Sequence, residues 1–185
     1  MAGFKPFSLS KDYGPRRINR DVSPTLATLI PWASVLLASV IPQIWLITGI
    51  PLLPPLGFLV LVTWRLSRPG LFPVWAAFPL GLWDDLLSGQ PLGSAILLWS
   101  LVMIALEFIE ARFPWRGFLH DWLTVAAVLT AYLVTAALFS GGTGALDRLP
   151  LVVPQLLLSI IIFPLIGAIV AILDRLRLLR IRIVK

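Results

Sequence analysis

The segment GLWDDLLSGQPLG, Gly81 to Gly93, places two adjacent carboxylates, Asp84 and Asp85, at the end of one long apolar run and just before another. Carboxylates so placed can bind a cation, carry a proton, or accept hydrogen bonds from the free N–H groups of a helix end. Ala77, Gly81 and Asp85 are spaced i, i+4, i+8, so they share one helical face, and its small residues suit close packing against another helix. Asp84 lies about 100° around the axis, with Ser88 one turn beyond it. A charge at a helix centre costs roughly 2.5–3.5 kcal/mol on insertion scales, and less near a helix end, where Asp85 falls. Asp85 also faces the negative pole of its own helix, so it needs a partner.

The sequence offers one. Pro91 suits the first position of a following helix, whose free N–H groups would then lie beside the end of the preceding one. Asp85 or Ser88 can accept from them, fixing the two helices as a hairpin. The competing reading is a cation, proton or partner site, with Arg148 as an ion partner and Asp147 as its nearer competitor.

No other constellation carries chemistry as readily. His120 is the only histidine; with Asp121 and Trp122 it reads as an interfacial polar residue or helix cap. Without cysteine, disulfides, thiolate metal sites and cysteine nucleophiles are excluded. No cofactor or metal is implied. Glu107, Glu110, Arg112 and Arg116 read as a solvated edge. Of the eight tryptophans, Trp64, Trp115 and Trp122 lie near expected membrane boundaries, and the others read as packing residues rather than a ligand cage.

The elements that must hold these residues are membrane spans. The 185 residues are 58% hydrophobic and 13% charged, against about 25% charged in soluble domains, and mean hydropathy is +0.93. Six apolar runs stand out: Thr25–Thr48, Pro51–Trp64, Leu71–Ser88, Leu92–Phe108, Trp122–Ser140 and Leu149–Leu173. The expected fold is an all-α integral membrane protein, a compact six-helix bundle. The second run is short and opens on Pro51, Pro54 and Pro55, so an irregular outer end is expected, and five spans plus a re-entrant piece is the alternative. Residues 1–24 read as a basic tail without a cleavable signal, 25–174 as the membrane domain, and 175–185 as a second basic tail.

The net charge of +6 does not form a nucleic-acid-binding stripe. Apart from Arg148, every Lys and Arg falls before Thr25, at Arg65 and Arg68, at Arg112 and Arg116, or from Arg175 to Lys185. Both termini are therefore expected in the cytoplasm. Ala127, Ala131 and Thr135, and Gly167 with Ala171, are candidate helix-contact stripes. Leu176, Leu179 and Ile183, ringed by basic residues, suit a membrane-surface helix that attracts anionic lipid.

Three functional classes compete. A lipid-modifying enzyme lacks its residues here, since CDP-alcohol phosphotransferases need further spaced aspartates and acid-phosphatase-type enzymes need histidines. A vitamin-binding subunit of an energy-coupling-factor transporter matches the size and span count. The third class is a membrane scaffold, and a resemblance supports it. The stretch WRLSRPGLFPVWAAFPLGLWDDLLSGQPLG, Trp64 to Gly93, resembles the rod shape-determining MreD family, through the arginine-bearing loop, Pro73, and Asp85, Leu86, Leu87, Ser88, Gly89, Leu92 and Gly93. Asp84 departs from the pattern, which is usually apolar there.

The resemblance implies a non-enzymatic inner-membrane component of the bacterial cell-wall elongation complex. It would act with a single-span MreC-like protein, MreB, RodA and a penicillin-binding transpeptidase. It also implies a fold similar to the vitamin-binding subunits. Asp85, Ser88, Gly89 and Gly93, together with Gly81 and Asp84, are the candidate structural or partner-binding residues.

Overall fold

A computed structural model describes residues 24–45, 53–89, 91–112, 117–141 and 149–178. The N-terminal tail before Pro24, Trp115, Arg116, Asp147, Arg148 and the tail beyond Leu178 lie outside the described residues. Among the described residues the fold is all-helical: α1 Pro24–Trp45, α2 Leu56–Ser67, α3 Ala77–Ser88, α4 Ser94–Arg112, α5 Phe118–Gly141 and α6 Leu149–Arg177.

Four of these, α1, α4, α5 and α6, are long and apolar enough to cross a membrane. The other two have 12 residues each, which at 1.5 Å per residue gives roughly 18 Å against a hydrocarbon core of about 30 Å. The two short helices have different causes. Helix α2 begins directly after Pro55, whose carbonyl accepts the first helical bond from the Leu59 N–H at 3.0 Å. The third apolar run was expected to be helical from Leu71, but α3 starts only at Ala77. Pro73 is extended (φ −65°, ψ 152°) and a single 3₁₀ turn, Val74–Ala76, intervenes. Proline holds the preceding residue out of the α region and donates no N–H, so the helix cannot run through Phe72–Pro73. Pro79 lies in the first turn of α3, where its missing N–H breaks no helical bond.

Of the two short helices, α2 lies deeper. Ten of the 12 residues of α2 are buried, and the helix is flanked by α1, α6 and α4. A helix apolar all round is stable only when surrounded. Phe58 of α2 stacks on Tyr132 of α5 with ring centroids 4.1 Å apart, and lies 5.9 Å from Trp99 of α4. These rings, with Leu59, Leu61, Leu80, Met103 and Leu129, form the core. Helix α3 packs on α4 and α1, and α5 on α6.

The small-residue stripes are not where helices meet. Ala127, Ala131 and Ala171 are exposed, and a side chain added at Gly167 would meet open space. The buried face of α5 is instead Val125, Leu129, Tyr132 and Ala136. On α5 and α6 these small residues face outward.

Candidate functional site, the junction of α3 and α4

Helix α3 ends at Ser88, and Gly89 terminates it in the left-handed conformation (φ +64°). The chain then turns through Pro91 to Gly93, and α4 begins at Ser94, three residues later than Pro91 as a first helical residue would require. Gly93 has φ +98°, outside the range that side-chain-bearing residues readily adopt. The turn brings the start of α4 back against the end of α3.

Asp85 lies at the centre of this contact, 2% exposed. Its Oδ2 accepts from the Gly93 N–H at 2.9 Å and the Ile96 N–H at 3.2 Å. Its Oδ1 accepts from the Ala95 N–H at 2.8 Å and the Ser94 hydroxyl at 3.1 Å. The Ser94 N–H reaches the Pro91 carbonyl, and the Leu97 N–H reaches that of Gly93, both at 3.0 Å. Every N–H from Gly93 to Leu97 thus has an acceptor. A helix start in an apolar medium would otherwise leave these donors unmade, at about 1–3 kcal/mol each. The carboxylate of one helix caps the next, and the positive pole of α4 offsets the negative pole of α3.

Gly81 makes the approach close enough. A Cβ at this position would lie 2.8 Å from the Ile96 Cα and 2.9 Å from its nitrogen, so any side chain pushes the two backbones apart. Ser88 does not join the network; its hydroxyl is buried without a hydrogen-bond partner among the described residues. Gly89 and Gly93 act through backbone conformation. Gly93→Ala is expected to lower stability by about 1–2 kcal/mol, the cost of a strained backbone position. Thermal melting of the purified protein checks this, and an unchanged melting temperature contradicts it.

Asp84 faces elsewhere. It is half-buried and turns toward α1, where it comes close to the Ser39 hydroxyl without a well-formed bond closing on that oxygen. Ser39 in turn packs against Gly57, where a Cβ would come within 1.9 Å of its Oγ. The two neighbouring aspartates thus contact different helices. Next to them, the Trp83 indole donates to the Leu36 carbonyl of α1 at 3.3 Å.

The other end of the bundle holds charges that the sequence reading placed in solvent. Arg65, 4% exposed, sits in the last turn of α2 with Nη2 at 3.0 Å from Glu110 Oε2 and 3.8 Å from Glu107 Oε2. Glu110 is only 14% exposed in this pair, so this edge is not simply solvated. Arg68 donates from Nε and Nη2 to Asp174 Oδ2 at 3.0 and 2.6 Å, and Arg177 reaches Asp174 Oδ1 at 3.0 Å. These bonds tie α2 to α4 and α6. Asp174 was not singled out from the sequence, although it is the lone acid at the start of the basic C-terminal stretch. Trp64, expected at the boundary, is fully buried and donates to the Ser34 hydroxyl at 2.9 Å. Among the described residues no group of three His, Asp or Glu is placed to hold a metal.

An apolar helical bundle, with polar groups that join one helix to another, defines an all-helical multi-pass membrane protein. The model of the family described as rod shape-determining protein MreD matches residues 23–176, and the chain belongs to that family. It is accordingly a rod-shape-determining membrane protein. No curated protein and no solved structure matches it.

Proposed function

We propose that the protein is a non-enzymatic inner-membrane component of the cell-wall elongation complex that binds partner membrane proteins. Those partners are a single-span MreC-like protein and, with it, MreB, RodA and a penicillin-binding transpeptidase. The carrying observation is the family match across nearly all of the described helices. The junction around Asp85 supports it, because its buried polar atoms are used to hold one helix on another. In this reading six helices cross the bilayer, with α2 sheltered by its longer neighbours and α3 packed on α4 and α1, and both basic tails, 1–24 and 175–185, lie in the cytoplasm. Asp85, Gly81, Gly89 and Gly93 fix the hairpin, Ser88 stands beside it, and Asp84 is left for a contact of its own.

Depletion of the protein from a rod-shaped host is expected to give rounded cells with impaired elongation. Gentle detergent extraction should recover the single-span MreC-like protein alongside it. Recovery of energising ATPase subunits instead, with cell shape unchanged, would favour the vitamin-transporter reading, for which nothing in the fold or the comparisons speaks.

A further inference from the structure

A half-open slot of about 420 Å³ runs down the face of the bundle between α1, α2 and α6. Ile30, Ala33 and Leu37 form one wall, Val60 the floor, and Ile169 and Leu173 the other wall. One hydroxyl borders it, that of Ser34, and it is turned away, donating to the Pro31 carbonyl at 2.7 Å and accepting from the Trp64 indole at 2.9 Å. The surface offered is therefore hydrocarbon. From Ile30 to Ile41, both in the lining, the slot follows α1 for roughly 16 Å at 1.5 Å per residue, about half of a 30 Å bilayer core and so the depth of one leaflet.

Width selects the occupant. An α-helix with its side chains is about 10–12 Å across, so 16 Å of helix displaces roughly 1,300 Å³ or more, too much to seat within the slot. A single hydrocarbon chain, whose carbons touch their neighbours at about 3.5–4.0 Å, is less than half as wide. Charge selects the end. The slot closes at Leu173, next to Asp174, where Arg68 and Arg177 share one carboxylate and leave an excess positive charge. The Arg68 side chain is 52% exposed, with both of its bonds to Asp174 made from Nε and Nη2. Arg175 is exposed on the far side of that turn, about 200° around α6 from Leu173. A phosphate at this level meets the exposed Arg68 guanidinium, and the chain it carries meets the slot.

We propose that the slot holds one acyl chain of an anionic phospholipid, from the leaflet on the side of the C-terminal end of α6, with its phosphate on Arg68. This site stands apart from the junction of α3 and α4 and does not depend on the partner reading.

The test uses the full chain in mild detergent, equilibrated with phosphatidylglycerol or phosphatidylcholine of identical chains and weighed by native mass spectrometry. One phosphatidylglycerol per chain should be retained in preference to phosphatidylcholine. Ala33→Phe and Ile169→Trp fill the slot from exposed positions on opposite walls; each should lose the bound lipid while keeping elution volume and helix content. Arg68→Gln should narrow the preference for phosphatidylglycerol, and Arg175→Gln, on the far face of α6, should leave it unchanged. Equal retention of both lipids, no retained lipid, or retention unchanged in both filled variants would overturn the assignment. Loss of a copurifying single-span protein from the filled variants, with lipid unaffected, would also overturn it in favour of a helix-docking face.

Discussion

Asp85→Asn is expected to destabilise the protein by about 2–4 kcal/mol, whereas Asp84→Asn should change stability by less than about 1 kcal/mol. The contrast follows from what each carboxylate faces. Asp85 accepts four hydrogen bonds, two at each oxygen, and three of the donors are backbone N–H groups. An amide has one accepting oxygen. If its NH₂ replaces Oδ2, it opposes the N–H groups of both Gly93 and Ile96; if it replaces Oδ1, the Ser94 hydroxyl can turn to accept but the Ala95 N–H is left facing a donor. Either orientation also forfeits the charge-assisted character of the remaining bonds and the favourable charge at the start of α4. No water replaces the lost partner at 2% exposure in an apolar medium. Asp84 is half-buried and closes no such set, so neutralising it removes a like charge beside Asp85 at little cost. Thermal melting in detergent, with recovery of the MreC-like partner, reads both effects, and a larger loss for Asp84→Asn would refute the assignment.

Much of this junction was legible in the sequence because its determinants are local. An acid one turn from a helix end, a Gly-x-Pro turn and a glycine one turn before the acid lie within a dozen residues, so helical spacing alone orders them. The turn differs in detail, with α4 starting at Ser94 rather than at Pro91, because Gly93 takes up a conformation that sequence spacing does not reveal. The long apolar helices were equally readable from hydropathy. The central position of α2 was harder to see, since its 12 residues look like a weak span rather than a core element. Least legible were the charges at the other end. Arg68 and Asp174 are 106 residues apart, and Arg65 reads as the start of a basic loop until α4 brings Glu110 beside it. Pairing between distant helices is decided by how they cross, and the small-residue pattern misled for the same reason: Ala127 and Ala131 mark a face that none of the described helices covers.

The Arg65 pair carries the second large effect. Its side chain is 5% exposed, Glu110 is 14% exposed, and Nη2 lies 3.0 Å from the carboxylate. Nη1 makes only a long contact of 3.4 Å to the Phe72 carbonyl, and Nε has no partner among the described residues, so the Glu110 contact is the main compensation for burying the cation. Breaking a buried pair by removing one member is costly, because the other charge stays where water cannot reach it. Arg65→Met, which keeps the apolar stem, should therefore lower stability by about 2–4 kcal/mol. Adding Glu110→Gln should recover part of the loss, since the half-buried carboxylate that lost Arg65 is then neutral, and the coupling between the two positions should reach about 1–3 kcal/mol. Glu107→Gln should cost less than about 1 kcal/mol, because Glu107 is 58% exposed and stands 3.8 Å away. Melting of the four proteins gives the cycle directly. If the double variant loses the sum of the two single losses, Arg65 does not act through Glu110. Recovery in the double variant, with Glu107→Gln nearly silent, would show that one ion pair fixes the end of the central helix α2 to α4, while the opposite end of α4 is fixed to α3 by Asp85.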